Sequence, residues 1–146
     1  MERRNFIKKC CLGTAALPLV GMVLPSCGSI YYAKNSVVDN QIVVAKSEFK
    51  WIKSNTTKQR KFVMLTVPQY KFPICVYAIT NDQYVASLLK CTHRGCELNV
   101  GGGQYTCPCH GSEFAVTGKV LEGPAEQDLL TFDINTDNEN IYIQLF

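Results

Sequence analysis

The chain is short of the residues most used for acid–base chemistry. It has two histidines, His93 and His110, and one tryptophan, Trp51, in 146 residues. It also lacks helical patterning: from about Ile30 onward no long stretch repeats at helical spacing, which argues against a helix bundle. Internal repeats and low-complexity tracts are missing as well. The longest apolar run, Cys10 to Leu24, is broken by Pro18 and Gly21. It falls short of the roughly 20 residues that a membrane-spanning helix requires. Nor is there a surplus of positive charge outside the N-terminus. Arg3, Arg4, Lys8 and Lys9 against Glu2 account for the whole net charge of +3. The 15 basic residues less these four, and the 12 acidic less the one, leave eleven of each. A balanced remainder does not suit a surface that would release counterions from nucleic acid, so no nucleic-acid partner is expected.

What is present at the N-terminus reads as an address. A basic segment, ERRNFIKK, precedes the apolar stretch CCLGTAALPLVGMVL and then PSCGS. This is the three-part pattern of an export signal. Arg3-Arg4-x-Phe6-Ile7-Lys8 resembles the twin-arginine export motif, used for proteins that cross a membrane already folded. Leu24-Pro25-Ser26-Cys27 resembles a bacterial lipobox, which implies a lipid on Cys27. The expected division is a signal segment over 1–27, a polar tether over 28–40 and one domain over 41–146. The expected location is the periplasmic face of the cytoplasmic membrane, lipid-anchored, with an uncleaved N-terminal anchor as the alternative. A 47% hydrophobic and 18% charged composition suits one ordinary globular domain.

The domain reads as all-β. QIVVA (41–45), KFVMLTV (61–67), ICVYAIT (74–80) and QYVASLLKC (83–91) are β-branched or aromatic runs bounded by turn residues. QYTC (104–107), SEFAV (112–116), LLTFDI (129–134) and NIYIQLF (140–146) continue the pattern. Short strands at this spacing predict an antiparallel sandwich or open barrel. The polar stretch at 53–61, with four positive charges, reads as an exposed hairpin tip, and Trp51 as a core residue.

Both histidines sit inside cysteine clusters, CTHRGC at 91–96 and CPCHGS at 107–112. Cys91-x-His93 and Cys107-x-x-His110 offer two thiolates and two imidazoles. That donor set fits either a tetrahedral Cys2His2 zinc site or an iron–sulfur cluster. The neighbouring glycines let the backbone turn tightly beside a metal. Cys96 and Cys109 remain, one per loop, and in an exported protein such a pair suits a disulfide. Cys75, within an apolar strand, reads as a buried free thiol behaving as a small hydrophobe.

Taken together the two boxes resemble the binding motif of Rieske-type [2Fe–2S] proteins, in particular the disulfide-bearing kind found in cytochrome bc complexes. The resemblance covers about residues 80–134, with the cluster-binding part at about 88–126. It implies that Cys91 and Cys107 hold the buried iron and that His93 and His110 hold the outer, redox-active one. It implies a Cys96–Cys109 disulfide. It also makes Gly123-Pro124-Ala125 the proline loop that covers the cluster. The implied fold is a β-sandwich or open barrel carrying a smaller cluster-binding subdomain built from loops. Centres of this family span roughly −150 to +300 mV, against about −400 mV for plant-type ferredoxins, as general values for these classes. Two departures stand out: the short segment Glu97–Thr106 between the boxes, and Phe114 where high-potential members have tyrosine. Ser112 keeps a hydroxyl able to reach a bridging sulfide. The expected potential lies below that of respiratory members and above that of plant-type ferredoxins.

The implied function is one-electron transfer, as the iron–sulfur subunit of a membrane-associated quinol or cytochrome oxidoreductase. Its partners would be cytochrome b- or c-type proteins and quinol. A small subunit of another exported oxidoreductase, similar to that of arsenite oxidases, is the alternative within the same chemistry. A zinc or disulfide-stabilised binding module is the alternative outside it. A Cys–His hydrolase would need one histidine as its base and so would dismantle the ligand set. A terminal oxygenase would need further histidines for a mononuclear iron, and the chain has none.

Overall fold

The computed structural model describes residues 30–146. Fourteen short strands form three four-stranded antiparallel sheets and one separate hairpin. The first sheet has the order β1-β2-β14-β13, from β1 (Asn35–Val38), β2 (Gln41–Ala45), β13 (Ile134–Thr136) and β14 (Asn140–Gln144). The second runs β12-β7-β6-β5, from β5 (Phe62–Leu65), β6 (Ile74–Ala78), β7 (Tyr84–Leu88) and β12 (Thr131–Phe132). The third and smallest is β11-β10-β9-β8, from β8 (Asn99–Gly101), β9 (Gln104–Thr106), β10 (Glu113–Ala115) and β11 (Val120–Glu122). The hairpin pairs β3 (Lys50–Lys53) with β4 (Thr56–Gln59). The all-β expectation holds, with one 3-10 turn at Lys46–Phe49 among the described residues.

The second sheet is the middle layer, and its sequence shows why. Successive side chains of a strand point to opposite faces. Val63 and Leu65, Ile74 and Val76, and Ala86 and Leu88 enter one core with Ile42, Val44, Ile141 and Ile143 of the first sheet. The residues between them, Met64 and Cys75, enter a second core with Leu89, Tyr105, Phe114 and Leu129. A strand covered on both faces needs an unbroken apolar run, and ICVYA in β6 is one. The first core stabilises the sandwich; the second fastens the small sheet to it. Cys91 and Cys107 belong to the second core.

Two assignments differ from the sequence reading. Part of the stretch read as a tether lies in the body of the domain. Ala33 is buried, Tyr31 and Ala33 exchange backbone hydrogen bonds with Met64, and β1 pairs with β2 along its length. Its polar residues are the exposed side of an edge strand, a composition that looks like a linker when read alone. Trp51 is not a core residue either. It is half-buried on the stand-off hairpin, facing Lys58 across the strand pair with the ammonium 5.8 Å from the ring. The hairpin is otherwise as read, a basic tip turning at Ser54 and Asn55, both with positive φ.

Candidate metal centre

The two cysteine–histidine boxes fold into loops of the same construction. In loop I the Cys91 N–H donates to the Cys96 carbonyl at 2.8 Å, and the Gly95 N–H donates to the Cys91 carbonyl at 2.8 Å. In loop II the Cys107 N–H donates to the Ser112 carbonyl at 2.8 Å, and the Gly111 N–H to the Cys107 carbonyl at 3.0 Å. Each loop spans six residues and is closed by an antiparallel pair, Lys90 with Glu97 and Thr106 with Glu113. The fifth residue of each loop has a left-handed backbone, φ +75° at Gly95 and +81° at Gly111. A side chain there would be strained, which is why both boxes carry glycine four residues after their first cysteine.

This frame puts the first cysteine of each loop on the inside and the histidines at the rim. Cys91 and Cys107 are 1% and 3% exposed and lie in the same core cluster. Burial raises the Cys107 thiol, but the Cys109 and His110 backbone N–H groups and the Cys91 side chain outweigh it. Cys107 is thereby held below the ordinary cysteine range. A thiol biased toward thiolate in a water-poor pocket is suited to binding a metal. The His93 and His110 rings lie side by side, centroids 4.9 Å apart and nearly perpendicular. His93 Nδ1 is buried and has no hydrogen-bond partner. An orphaned buried nitrogen costs about 1–3 kcal/mol unless something binds it, and a metal ion would.

Cys96 and Cys109 form a disulfide, with S–S 2.07 Å and Cα atoms 6.6 Å apart, the pairing that the resemblance implied. The three sulfurs of Cys96, Cys107 and Cys109 lie within 4.8 Å of one another, so the bridge runs directly beside Cys107. Two of those sulfurs are bonded to each other, so Cys107 is the free thiol of the three.

A third loop covers these two. The Gly123–Pro124 peptide is cis, and the following Ala125 N–H donates to Ser112 Oγ at 3.0 Å in a buried contact. On the other side the Thr92 hydroxyl donates to the Gln127 carbonyl at 2.6 Å. The third loop is thus fastened once to each box. The sequence reading placed Ser112, Gly123 and Pro124 at the site but missed Thr92 and Gln127. A hydroxyl directly after the first cysteine was the available signal. Phe114 is fully buried in β10, paired across the strands with Tyr105. Tyr105 is no substitute for the missing tyrosine, because its hydroxyl donates to the Val116 carbonyl at 3.3 Å. The expected lipid site, Cys27, lies outside the described residues.

The family model of the Rieske [2Fe–2S] domain matches residues 32–133. The chain belongs to the Rieske [2Fe–2S] family. Its cofactor is accordingly a [2Fe–2S] cluster. The crystallised cyanobacterial plasma membrane Rieske protein PetC3 from Synechocystis PCC 6803 is 39% identical. The match covers 57% of this chain and 86% of that one, with a TM-score of 0.51. The cytochrome b6-f complex iron–sulfur subunit of Synechococcus sp. (strain RCC307) is 44% identical over 55 residues, 36% of this chain and 31% of that protein. The same subunit from a strain of Prochlorococcus marinus is 28% identical over 98% of this chain and 84% of its own. The strongest identity is thus confined to a segment spanning about a third of the curated relatives. Of these relatives, PetC3 is a plasma membrane Rieske protein. No helix among residues 30–146 is long and apolar enough to cross a membrane.

Proposed function

We propose that this Rieske protein passes single electrons as the iron–sulfur subunit of a membrane-associated quinol–cytochrome oxidoreductase. Cys91 and Cys107 would hold the buried iron, and His93 and His110 the outer one. The observation that carries this reading is the pairing of the two imidazoles at the rim of two loops whose first cysteines are both buried in one core. When bound, the cluster supplies a site that accepts and releases one electron.

The chain's own residues do the rest. The second core and the third loop keep water from the thiol side, while the rim stays open at His110. Thr92 and Ser112 fix the covering loop, and the disulfide ties loop I to loop II so that the two rings keep their spacing. A ring edge at the surface gives an electron a short path to a docked partner. Its N–H offers a hydrogen bond to a quinol or another polar acceptor.

Residues 1–27 are proposed as an export signal, with Cys27 carrying the lipid and the domain starting near residue 30. The relatives' names, of cytochrome b6-f subunits and a plasma membrane protein, support a membrane assembly. In membranes from cells lacking the protein, quinol-dependent cytochrome reduction is expected to fall to background. The native chain should restore it; His110→Ser, and separately a soluble Cys27→Ala form, should not. Unchanged quinol–cytochrome activity without the protein would favour another exported oxidoreductase as the host.

A further inference from the structure

Beside His93, on the side away from His110's loop, a cleft of about 460 Å³ opens at the foot of loop I. Leu88 and Leu130 make its apolar wall, with Leu130 44% exposed, and Thr92 and Gln127 add polar groups at the joint between loop I and the third loop. Lys90 and Arg94 line it as well, one on each side of Cys91 and His93 in the sequence. Both are exposed, and the Lys90 stem runs across loop I. Its Cε lies 3.4 Å from the point where a side chain on Gly95 would begin.

Neither cation is neutralised. Among the described residues the one salt bridge is Lys46–Asp82 in another part of the molecule. Glu97 lies across the backbone bridge from Lys90 but makes no ion pair with it, and Glu126 makes none with either cation. Asp128 is turned to the backbone N–H of Val120 at 2.8 Å. Two cations without ion pairs thus line an apolar wall beside one of the two rim histidines, an arrangement that favours an anionic group.

We infer that this cleft is a docking notch for a carboxylate that the electron-accepting partner carries beside its own redox centre. This rests on the chain being an electron carrier. The carboxylate would sit between Lys90 and Arg94, and the apolar surface around it would cover Leu130. That pose brings the partner's centre to the His93 edge. One electron leaves the reduced cluster for a one-electron acceptor, and no bond is made or broken. An isolated exposed ion pair contributes little. Two cations facing one anionic group act mainly on the encounter, raising association rates about tenfold or more at low salt.

The test uses the cluster-loaded protein, reduced and mixed rapidly with small oxidants of opposite charge. The anionic, carboxylate-bearing tris(oxalato)cobaltate(III) is compared with the cationic hexaammineruthenium(III). The double variant Lys90→Gln/Arg94→Gln should slow oxidation by the cobaltate about tenfold at low salt, with the gap closing as salt rises. It should leave the ruthenium rate equal or faster. Redox-inert tris(oxalato)chromate(III) should compete with the cobaltate in the native protein and lose that competition in the variant. The charge-matched control Lys58→Gln/Lys61→Gln, on or beside the remote hairpin, should behave as native. An equal loss in that control would reduce the effect to net charge and overturn the notch, as would an unchanged rate in the Lys90/Arg94 variant. Failure of the underlying reading would look different: no cluster signal and no oxidation by either probe.

Discussion

At the residue scale the centre is set as much by what is missing as by what is there. Phe114 sits in the core that holds both thiols but offers no donor, and the nearby Tyr105 hydroxyl is committed to Val116. A hydroxyl directed at a ligand sulfur stabilises the reduced, more negative state. If that preference is worth about 1.4 kcal/mol, within the span of an ordinary intramolecular hydrogen bond, a one-electron couple shifts by about 59 mV. Phe114→Tyr is therefore expected to raise the midpoint by tens of millivolts in a potentiometric titration; an unchanged or lower midpoint would show that position 114 does not reach the sulfurs. Cys75 carries a second residue-scale prediction. Burial pushes its thiol up to about 12, against an ordinary value of 9.0, with the neighbouring Tyr105 side chain a smaller opposing influence. A group whose folded value is raised stabilises the fold below its unfolded value and loses that contribution as pH climbs toward the folded one. Urea midpoints should therefore fall from about pH 9 towards 12, and Cys75→Ala should flatten that fall while lowering the midpoint at neutral pH. An equally steep fall in the variant would place the alkaline sensitivity elsewhere.

At the element scale the site is two six-residue hairpin-like loops clamped by a third, and the two loops were readable because loop and motif coincide. C-x-x-x-G recurs in CTHRGC and CPCHGS because each loop bonds its fifth N–H back to its first carbonyl and needs a left-handed residue there. The clamps were harder to read. Thr92 to Gln127 spans 35 positions and ends on a backbone carbonyl, which no side-chain pattern announces. Strands with one or two apolar-periodic partners, such as QIVVA, were plain, and β2 covers the same five residues. β1, β8 and β11 were not, since an edge strand or a three-residue strand has too few buried positions to show alternation. The disulfide is the element-scale staple. Its 13-residue separation corresponds to about 3 kcal/mol by the loop-entropy argument. Cys96→Ser with Cys109→Ser is expected to lose that much in a denaturant titration and to bleach faster under a chelator. Stability and bleaching rate matching the native protein would mean that the third loop alone holds the two boxes together.

At the scale of the whole molecule the fold is a sandwich whose middle sheet serves two cores, one structural and one beneath the metal centre. That arrangement explains why the chain spends unbroken apolar runs on β5–β7 and why its smallest sheet carries the chemistry. It also explains the misread tether: a chain entering along a sheet edge shows polar residues outward while Tyr31 and Ala33 engage the core. The central claim is the ligand set, two cysteines and two histidines around one cluster. It is tested most directly by pulsed electron paramagnetic resonance of the reduced protein with ¹⁵N-labelled histidine. The account predicts a one-electron-reduced [2Fe–2S] signal coupled to two histidine nitrogens, with one coupling lost in a His93→Cys variant and the other in His110→Cys. A cluster signal with no histidine coupling, or a colourless protein containing zinc, would contradict it.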